Sequence, residues 1–391
     1  MSVDARRVAI FTGTRADFGL LRPLAQLVDA DPRTQLQLIA SGTHLSGAHG
    51  ATIDEIRAEG LPIAAEVPIW GPDDSALGVA KGVGSAFADY AKVLSGLRPD
   101  IVLVLGDRLE ALAMATAATI LSVPVAHVHG GELTEGAMDD SIRHAITKLS
   151  LLHFVTTGEH RERVLQLGEQ PDNVFNLGAP ILDALNDLTL LERGEIERRF
   201  GVRFGRSTLL LTFHPAIFDR VPSIDLLMQL LSAIARLPDT RLIVTGTNSD
   251  IGSEDIRAAI NTFVRTHAEQ TDYVESFGQL GYLSTMKQVQ AVVGNSSSTV
   301  LEAPLLGVPS VLVGDRQQGR PLSAGVLTPG PTADSIFDAL TTALSPEFRA
   351  MAATTPTVFG TPGFARRALE ILATFPLAGP QRKQFSDLHL S

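Results

Sequence analysis

Residues 101–131, IVLVLGDRLEALAMATAATILSVPVAHVHGG, decide the fold. Ile101 to Leu105 is an unbroken apolar run, the pattern of a strand covered on both faces, and such strands belong to parallel sheets. It ends in Gly106-Asp107-Arg108. Leu109 to Leu121 reads as a helix and Val123 to Val128 as a second strand, after which the chain breaks at Gly130-Gly131, where backbone can come close to a ligand. Strand, helix and strand in that order make a βαβ unit, whose ligands bind at the carboxyl ends of the strands. Both ends here carry ionisable groups. Asp107 follows the first strand, Glu132 lies just past the glycine turn, and Asp139 and Asp140 begin the next helix, beside the positive end of its dipole.

The same alternation extends in both directions. Upstream, Val8 to Phe11 runs into the turn Thr12-Gly13-Thr14-Arg15, and a helical pattern (Phe18, Leu20, Leu21, Leu24, Leu27) follows; Arg15 would add a cation suited to phosphate. Leu36 to Ala40 leads to His44, again just beyond a strand end, and a helix covers about Thr52 to Glu59. Residues 71–85 read as a mobile, lid-like loop before a helix holding Phe87, Tyr90, Val93 and Leu94. Downstream come strands at 151–155 and 174–177 with a helix at 159–167 between them, then a charged helix and linker at 192–206. The second half repeats the style, with strands at 208–213, 242–245, 273–276, 291–293 and 310–313 and helices at 224–236, 254–267, 283–290 and from Thr299. The expected fold is α/β, with two doubly wound Rossmann-like domains facing across a cleft. Their expected bounds are 1–187 and 188–364, with residues 365–391 packing back on the first.

Composition narrows the chemistry. A chain of 391 residues, 45% hydrophobic and 19% charged, can bury two cores. No apolar run approaches a membrane span, and the first residues lack the long apolar region of a signal peptide, so a cytoplasmic protein is expected. Cysteine is absent, which removes disulfides, thiolate metal sites and thiol nucleophiles. A net charge of −11 argues against a nucleic-acid partner. An anionic small ligand would be held by a few placed cations and backbone amides.

Asp107, Glu132 and Asp139 fall on adjacent parts of one sheet edge. Converging carboxylates drive their pKa values apart and can supply an acid and a base near neutral pH; an ordinary ion pair of Asp139 with Arg143, at i and i+4 on one helix, is the competing explanation. His127 and His129 alternate along a strand, so both are expected on one face, and with Glu132 they resemble part of a metal site. A third or fourth ligand is not evident, and no metal is expected. In the second half, His214 follows a strand, and Gly294-Asn295-Ser296-Ser297-Ser298 opens a helix, the stronger anion signal. Glu302, one turn on, suits ribose hydroxyls better than phosphate. Arg316 and Arg320 follow the next strand and could pair with phosphate.

Taken together, GTRADFGLLRPL (13–24), SGTHLSG (41–47), GDRLE (106–110), HVHGGELTEGAMDDSIRHAITKLS (127–150), NLGAPILD (176–183), His214-Pro215, GNSSSTVLEAPLLGVPSV (294–311) and GDRQQGR (314–320) resemble the UDP-N-acetylglucosamine 2-epimerase family across nearly the whole chain. The resemblance is to its hydrolysing branch, which supplies N-acetylmannosamine for sialic-acid-type sugars. The non-hydrolysing branch carries Pro-Glu after the first Arg and Glu-Ala-Gly where this chain has His-Gly-Gly-Glu. What the resemblance implies is a glycosyltransferase-B-like fold binding uridine diphosphate. Its catalytic residues fall on Asp107, Glu132, Asp139, Arg143 and His214, and its nucleotide site on Arg15, Tyr282, Ser296, Ser297, Glu302 and Arg316; His44, by its place beyond a strand end, is a further candidate ligand contact, with a structural histidine the competing reading. Tyr282 stands where the family usually has Phe, and His49 where an aromatic commonly precedes Gly50.

The implied reaction converts UDP-N-acetylglucosamine and water to N-acetylmannosamine and UDP through a 2-acetamidoglucal, without a cofactor. The same chemistry on a UDP- or GDP-linked diacetamido sugar of the bacillosamine type, for legionaminic acid, is the alternative. A non-hydrolysing epimerase, a glycosyltransferase and a non-catalytic nucleotide-sugar binder are further ones, the last disfavoured by the carboxylates. A homodimer or homotetramer is expected.

Overall fold

The computed structural model describes residues 5–46, 52–69, 75–133, 138–186, 188–215, 221–247, 253–377 and 383–387. The chain forms two compact units, Met1–Asp187 with Phe359–Ser391, and Leu188–Val358. It re-enters the first unit at Phe359, earlier than the expected residue 365, because the Phe359 carbonyl accepts from Ala179 N at 2.9 Å and its side chain is only 3% exposed.

The first unit holds seven parallel strands: β1 (Arg6–Thr12), β2 (Thr34–Ser41), β3 (Ile63–Val67), β4 (Ile101–Leu105), β5 (Val125–Val128), β6 (Leu152–Val155) and β7 (Val174–Asn176). Their order is β3-β2-β1-β4-β5-β6-β7. Helices cover both faces, which explains the continuous apolar runs: Val8, Ile10, Ile101 and Leu103 enter one core while Ala9, Phe11, Val102 and Val104 enter the other. The late helix Phe364–Thr374 adds Phe364, Ala368 and Leu372 to the first of these cores.

The second unit repeats the plan with β8 (Ser207–Thr212), β9 (Thr240–Thr245), β10 (Thr271–Val274), β11 (Ala291–Gly294), β12 (Ser310–Leu312) and β13 (Val326–Leu327), in the order β10-β9-β8-β11-β12-β13. Leu209 and Leu211 face one core and Leu210 the other. Both units are therefore doubly wound and Rossmann-like. In each, the winding reverses between the first strand and its later neighbour, β1 beside β4 and β8 beside β11, and that is where such sheets take ligands.

Three local expectations change. Residues 76–85 are helical rather than a loop, within Ala76–Leu97. Ser75 caps it by accepting from Gly78 N at 3.1 Å, and burial of Ala86, Tyr90 and Leu94 offsets the low helix propensity of its glycines. Residues 71–74 and His49 lie outside the described residues. β3 and β13, not expected from the sequence, are short strands at the sheet edges. The helix expected from Thr299 is instead a 3-10 turn, Ser297–Thr299, followed by the short helix Glu302–Leu305; Pro304 lacks the N–H that a continuous helix would require there.

Candidate active site

Arg143 organises the carboxyl edge of the first sheet. The helix Met138–Leu149 carries it inward until it is 4% exposed. Its guanidinium pairs with Asp107 at the end of β4, donates from Nη1 to the Glu132 carbonyl at 2.8 Å and reaches Asp140 Oδ1 at 3.3 Å. One side chain thus ties β4, the turn after β5 and its own helix together. The expected i, i+4 pairing with Asp139 is not what engages it: Asp107 and Asp140 do. Asp139 lies on the first helical turn, where loss of solvation and then the Asp107 charge push its carboxyl above the usual range.

Glu132 sits in a second small network. Its Oε1 meets His129 Nδ1 at 2.7 Å and accepts from the Thr156 hydroxyl at 3.1 Å; Thr156 in turn meets His160 Nδ1 at 2.7 Å. Burial works against the charged form of His129, but Glu132 outweighs it and raises the imidazolium's pKa. His129 Nε2 is buried and unpartnered among the described residues. His160 is held down by burial, so it acts as a neutral donor to Thr156.

The histidines do not share a face. His129 has left β5 and adopts a left-handed φ of 69°, while His127 is fully buried, its Nε2 donating to the Gly106 carbonyl at 2.7 Å and its Nδ1 3.2 Å from Thr147 Oγ1. Burial lowers the His127 pKa to about 3, leaving a neutral ring that braces β4 against the helix. Among the described residues no group of three or more His, Asp or Glu is placed to hold a metal ion. Gly131 serves internal packing, since a Cβ there would overlap the His160 carbonyl. His44 is likewise committed, to Thr12 Oγ1 at 2.9 Å and Thr52 Oγ1 at 2.8 Å, and burial lowers its pKa to about 4. Arg15 pairs with Glu55 at 2.9 Å on the surface, a contact weak enough to yield to a stronger anion.

In the second unit the hub is Asn295, fully buried at the end of β11. Its Oδ1 accepts from His214 N at 2.8 Å and its Nδ2 donates to the His214 carbonyl at 2.7 Å, while its own carbonyl receives Gln317 Nε2 at 3.0 Å and Arg316 Nη1 at 3.3 Å. His214 is tied to the serine turn by the Asn295 side chain, and the Arg316 loop by its backbone carbonyl. Gly294 makes the approach possible: at φ 138°, any side chain would collide with the Thr212 carbonyl of β8. Ser296 caps the 3-10 turn. Tyr282 hydrogen-bonds Thr212 Oγ1 at 2.9 Å and Ser298 Oγ at 2.7 Å, so it supports the turn from behind. Ser297 is half-buried on that turn. Burial raises the Glu302 carboxyl pKa against the opposing charge of Arg320, and its shielded Oε2 has no hydrogen-bond partner among the described residues.

Sequence reading gave no role to Asn295, His160, Thr156 or the group around Gly13. There Arg108 Nε donates to the buried Glu110 at 2.8 Å, whose side chain packs against Gly13, and burial raises the neighbouring Asp17 to about 6. Only the quoted motifs GDRLE and TRADFG, which contain these residues, pointed their way.

Two doubly wound units, each with its polar groups gathered at the carboxyl ends of its switch strands, place the protein in the two-Rossmann-domain class. The sequence profile of the UDP-N-acetylglucosamine 2-epimerase family matches residues 26–373, and the chain belongs to that family, on its hydrolysing side. It is 35% identical over 318 residues to the GDP/UDP-N,N'-diacetylbacillosamine 2-epimerase (hydrolyzing) of Campylobacter jejuni, covering 81% of this chain and 83% of that one. With the UDP-N,N'-diacetylbacillosamine 2-epimerase (hydrolyzing) of Legionella pneumophila it shares 32% identity over 373 residues, 95% and 97% of the two chains. The fold is similar to that of UDP-GlcNAc 2-epimerase from Methanocaldococcus jannaschii, with a TM-score of 0.75 at 21% identity over 94% of this chain and 99% of that one.

Proposed function

We propose that this protein is a hydrolysing 2-epimerase, taking a UDP-linked 2-acetamido sugar and water to free UDP and the sugar inverted at C2, with UDP-N-acetylglucosamine giving N-acetylmannosamine. The observation that carries this is the Glu132 carboxylate, held by His129 at 2.7 Å and Thr156 at 3.1 Å on the same strand edge as the Asp107–Arg143 pair.

The C2 proton of the sugar is weakly acidic, so departure of the diphosphate must supply most of the activation. As the C1–O bond breaks, a base takes the C2 proton and the C–H electron pair becomes the C1–C2 double bond of a 2-acetamidoglucal. Water then adds, hydroxyl to C1 and proton to C2 from the opposite face, and one water is consumed overall. Glu132 and Asp139 carry the two proton transfers in this scheme. Loss of solvation and the Asp107 charge raise the Asp139 pKa, the direction that favours a proton-carrying role, and Asp107, fixed by Arg143, orients the sugar. Arg15, His214, the Ser296-Ser297 turn and Arg316 take the diphosphate charge, and the buried, unpartnered Glu302 oxygen accepts from the ribose hydroxyls.

A second reading keeps the chemistry and changes the sugar to diacetylbacillosamine, on UDP or GDP. The names of the two hydrolysing relatives favour it. Separate incubations with UDP-N-acetylglucosamine and with UDP- and GDP-diacetylbacillosamine, followed by chromatography, distinguish them. One nucleotide sugar should give free nucleotide plus a reducing 2-epimer. A product still linked to the nucleotide would rule out the hydrolysing reaction.

A further inference from the structure

The helix Met138–Leu149 enters the site at its first turns, where Asp139 and Arg143 lie. Its other end is held by a piece of chain from far away. Lys383 Nζ donates to three carbonyls at that end, Thr147 at 3.0 Å, Lys148 at 2.7 Å and Ser150 at 2.6 Å, and pairs with Glu169 Oε2 at 2.7 Å. Glu169 is 2% exposed and also binds Lys148 Nζ at 2.7 Å and His153 Nε2 at 3.0 Å. The following residues run along the same surface. Ser386 N donates to the Gly168 carbonyl at 2.9 Å, and the Phe385 ring lies so close over Gly168 that a Cβ there would overlap it, with Lys148 Nζ 4.9 Å from the ring centre. Helix ends leave their last carbonyls without intrahelical partners, and a cation there also complements the dipole. Here a single lysine does both from more than 230 residues away. Phe385 is 66% exposed, so little apolar burial holds the segment and Lys383 is its anchor.

We propose that the segment Lys383–Asp387 is a positioning strap for the active site: by capping the far end of the helix Met138–Leu149, Lys383 sets where Arg143, midway along it, and Asp139, at its start, stand. The effect on turnover rests on the function proposed above; the capping does not. Twelve residues span about 18 Å, so a small tilt at one end displaces the reacting groups at the other, and about 1 Å of misplacement can cost on the order of 100-fold in rate.

The test uses the full chain with Lys383→Met and, separately, with Lys383→Arg. Lys383→Met should lower kcat by about 10- to 100-fold with KM changed less than about 3-fold, and amide exchange in the last turn of the helix should quicken while that in β1 and β4 does not. Lys383→Arg, which keeps a cation able to reach the same carbonyls, should retain part of the activity. Wild-type kcat and exchange in Lys383→Met would overturn the proposal. So would quickened exchange through the whole unit, which marks a merely structural role. If the unaltered protein turns over no sugar nucleotide, the proposed function fails, and exchange in the helix alone still decides whether Lys383 caps it.

Discussion

Replacing Asn295 isolates the device that gathers the polar groups at the carboxyl edge of the second unit's sheet. Its side chain exchanges two hydrogen bonds with the His214 backbone, at 2.8 and 2.7 Å. Asn295→Ala deletes both and strands a part-buried N–H and C=O. Two net hydrogen bonds at about 1 kcal/mol each set the lower bound, and two unsatisfied backbone groups at about 1–3 kcal/mol each raise it, so a loss of about 2–5 kcal/mol is expected. Asn295→Asp should help little, because it keeps the acceptor for His214 N but turns a carboxylate oxygen toward the His214 carbonyl. Urea unfolding followed by circular dichroism measures the stability loss, and titration with UDP measures the site. Affinity should fall in parallel, since His214 loses its tie to the serine turn, while the Arg316 loop keeps its bonds to the backbone carbonyl of residue 295. A cost below about 0.5 kcal/mol, the range of surface substitutions, with unchanged UDP affinity would refute the pinning role.

Acid should weaken the fold through its buried histidines. The His44 and His127 pKa values are lowered by burial to about 4 and about 3 from about 6.5 when unfolded, so the unfolded chain binds protons first; the stability they confer is complete above about pH 6.5 and is lost as pH falls toward 3. At pH 4.5 the two together should cost about 5 kcal/mol, seen as a drop in the urea midpoint, and His127→Asn should reduce that dependence. Glu132→Gln should abolish turnover and leave UDP affinity nearly intact; retained turnover would remove Glu132 from proton transfer. Glu302→Gln removes a buried carboxylate whose charge burial disfavours, so the unliganded protein should be as stable or more so, yet UDP affinity should fall by about 10-fold or more for the loss of a charged acceptor; unchanged affinity on calorimetry would separate Glu302 from the ribose.

Much of this architecture could be read in the sequence because doubly covered strands announce themselves. Ile101 to Leu105 and Leu209 to Leu211 must be apolar on both sides, and the groups that follow them fall at the sheet edge whatever the loop details. Asp107, Glu132 and the Gly294–Ser298 turn were legible on that ground. What escaped depends on partners distant in sequence. Nothing local tells that Asn295 clasps the backbone of His214, 81 residues earlier, or that Arg143 reaches Asp107 instead of Asp139. The left-handed turn at His129, which breaks the strand alternation and sends its ring to Glu132, has no signature in a period-two pattern. The first half of the helix Ala76–Leu97 was hidden by its glycines, whose propensity cost is outweighed only by tertiary burial.

The central claim is proton exchange at C2 coupled to loss of the nucleotide, and one measurement addresses it directly. Turnover of the preferred nucleotide sugar in D2O, followed by proton NMR, should yield free nucleotide and a manno-configured sugar carrying one deuterium at C2. A product that retains the C2 proton, or deuterium in a sugar still joined to its nucleotide, would contradict it.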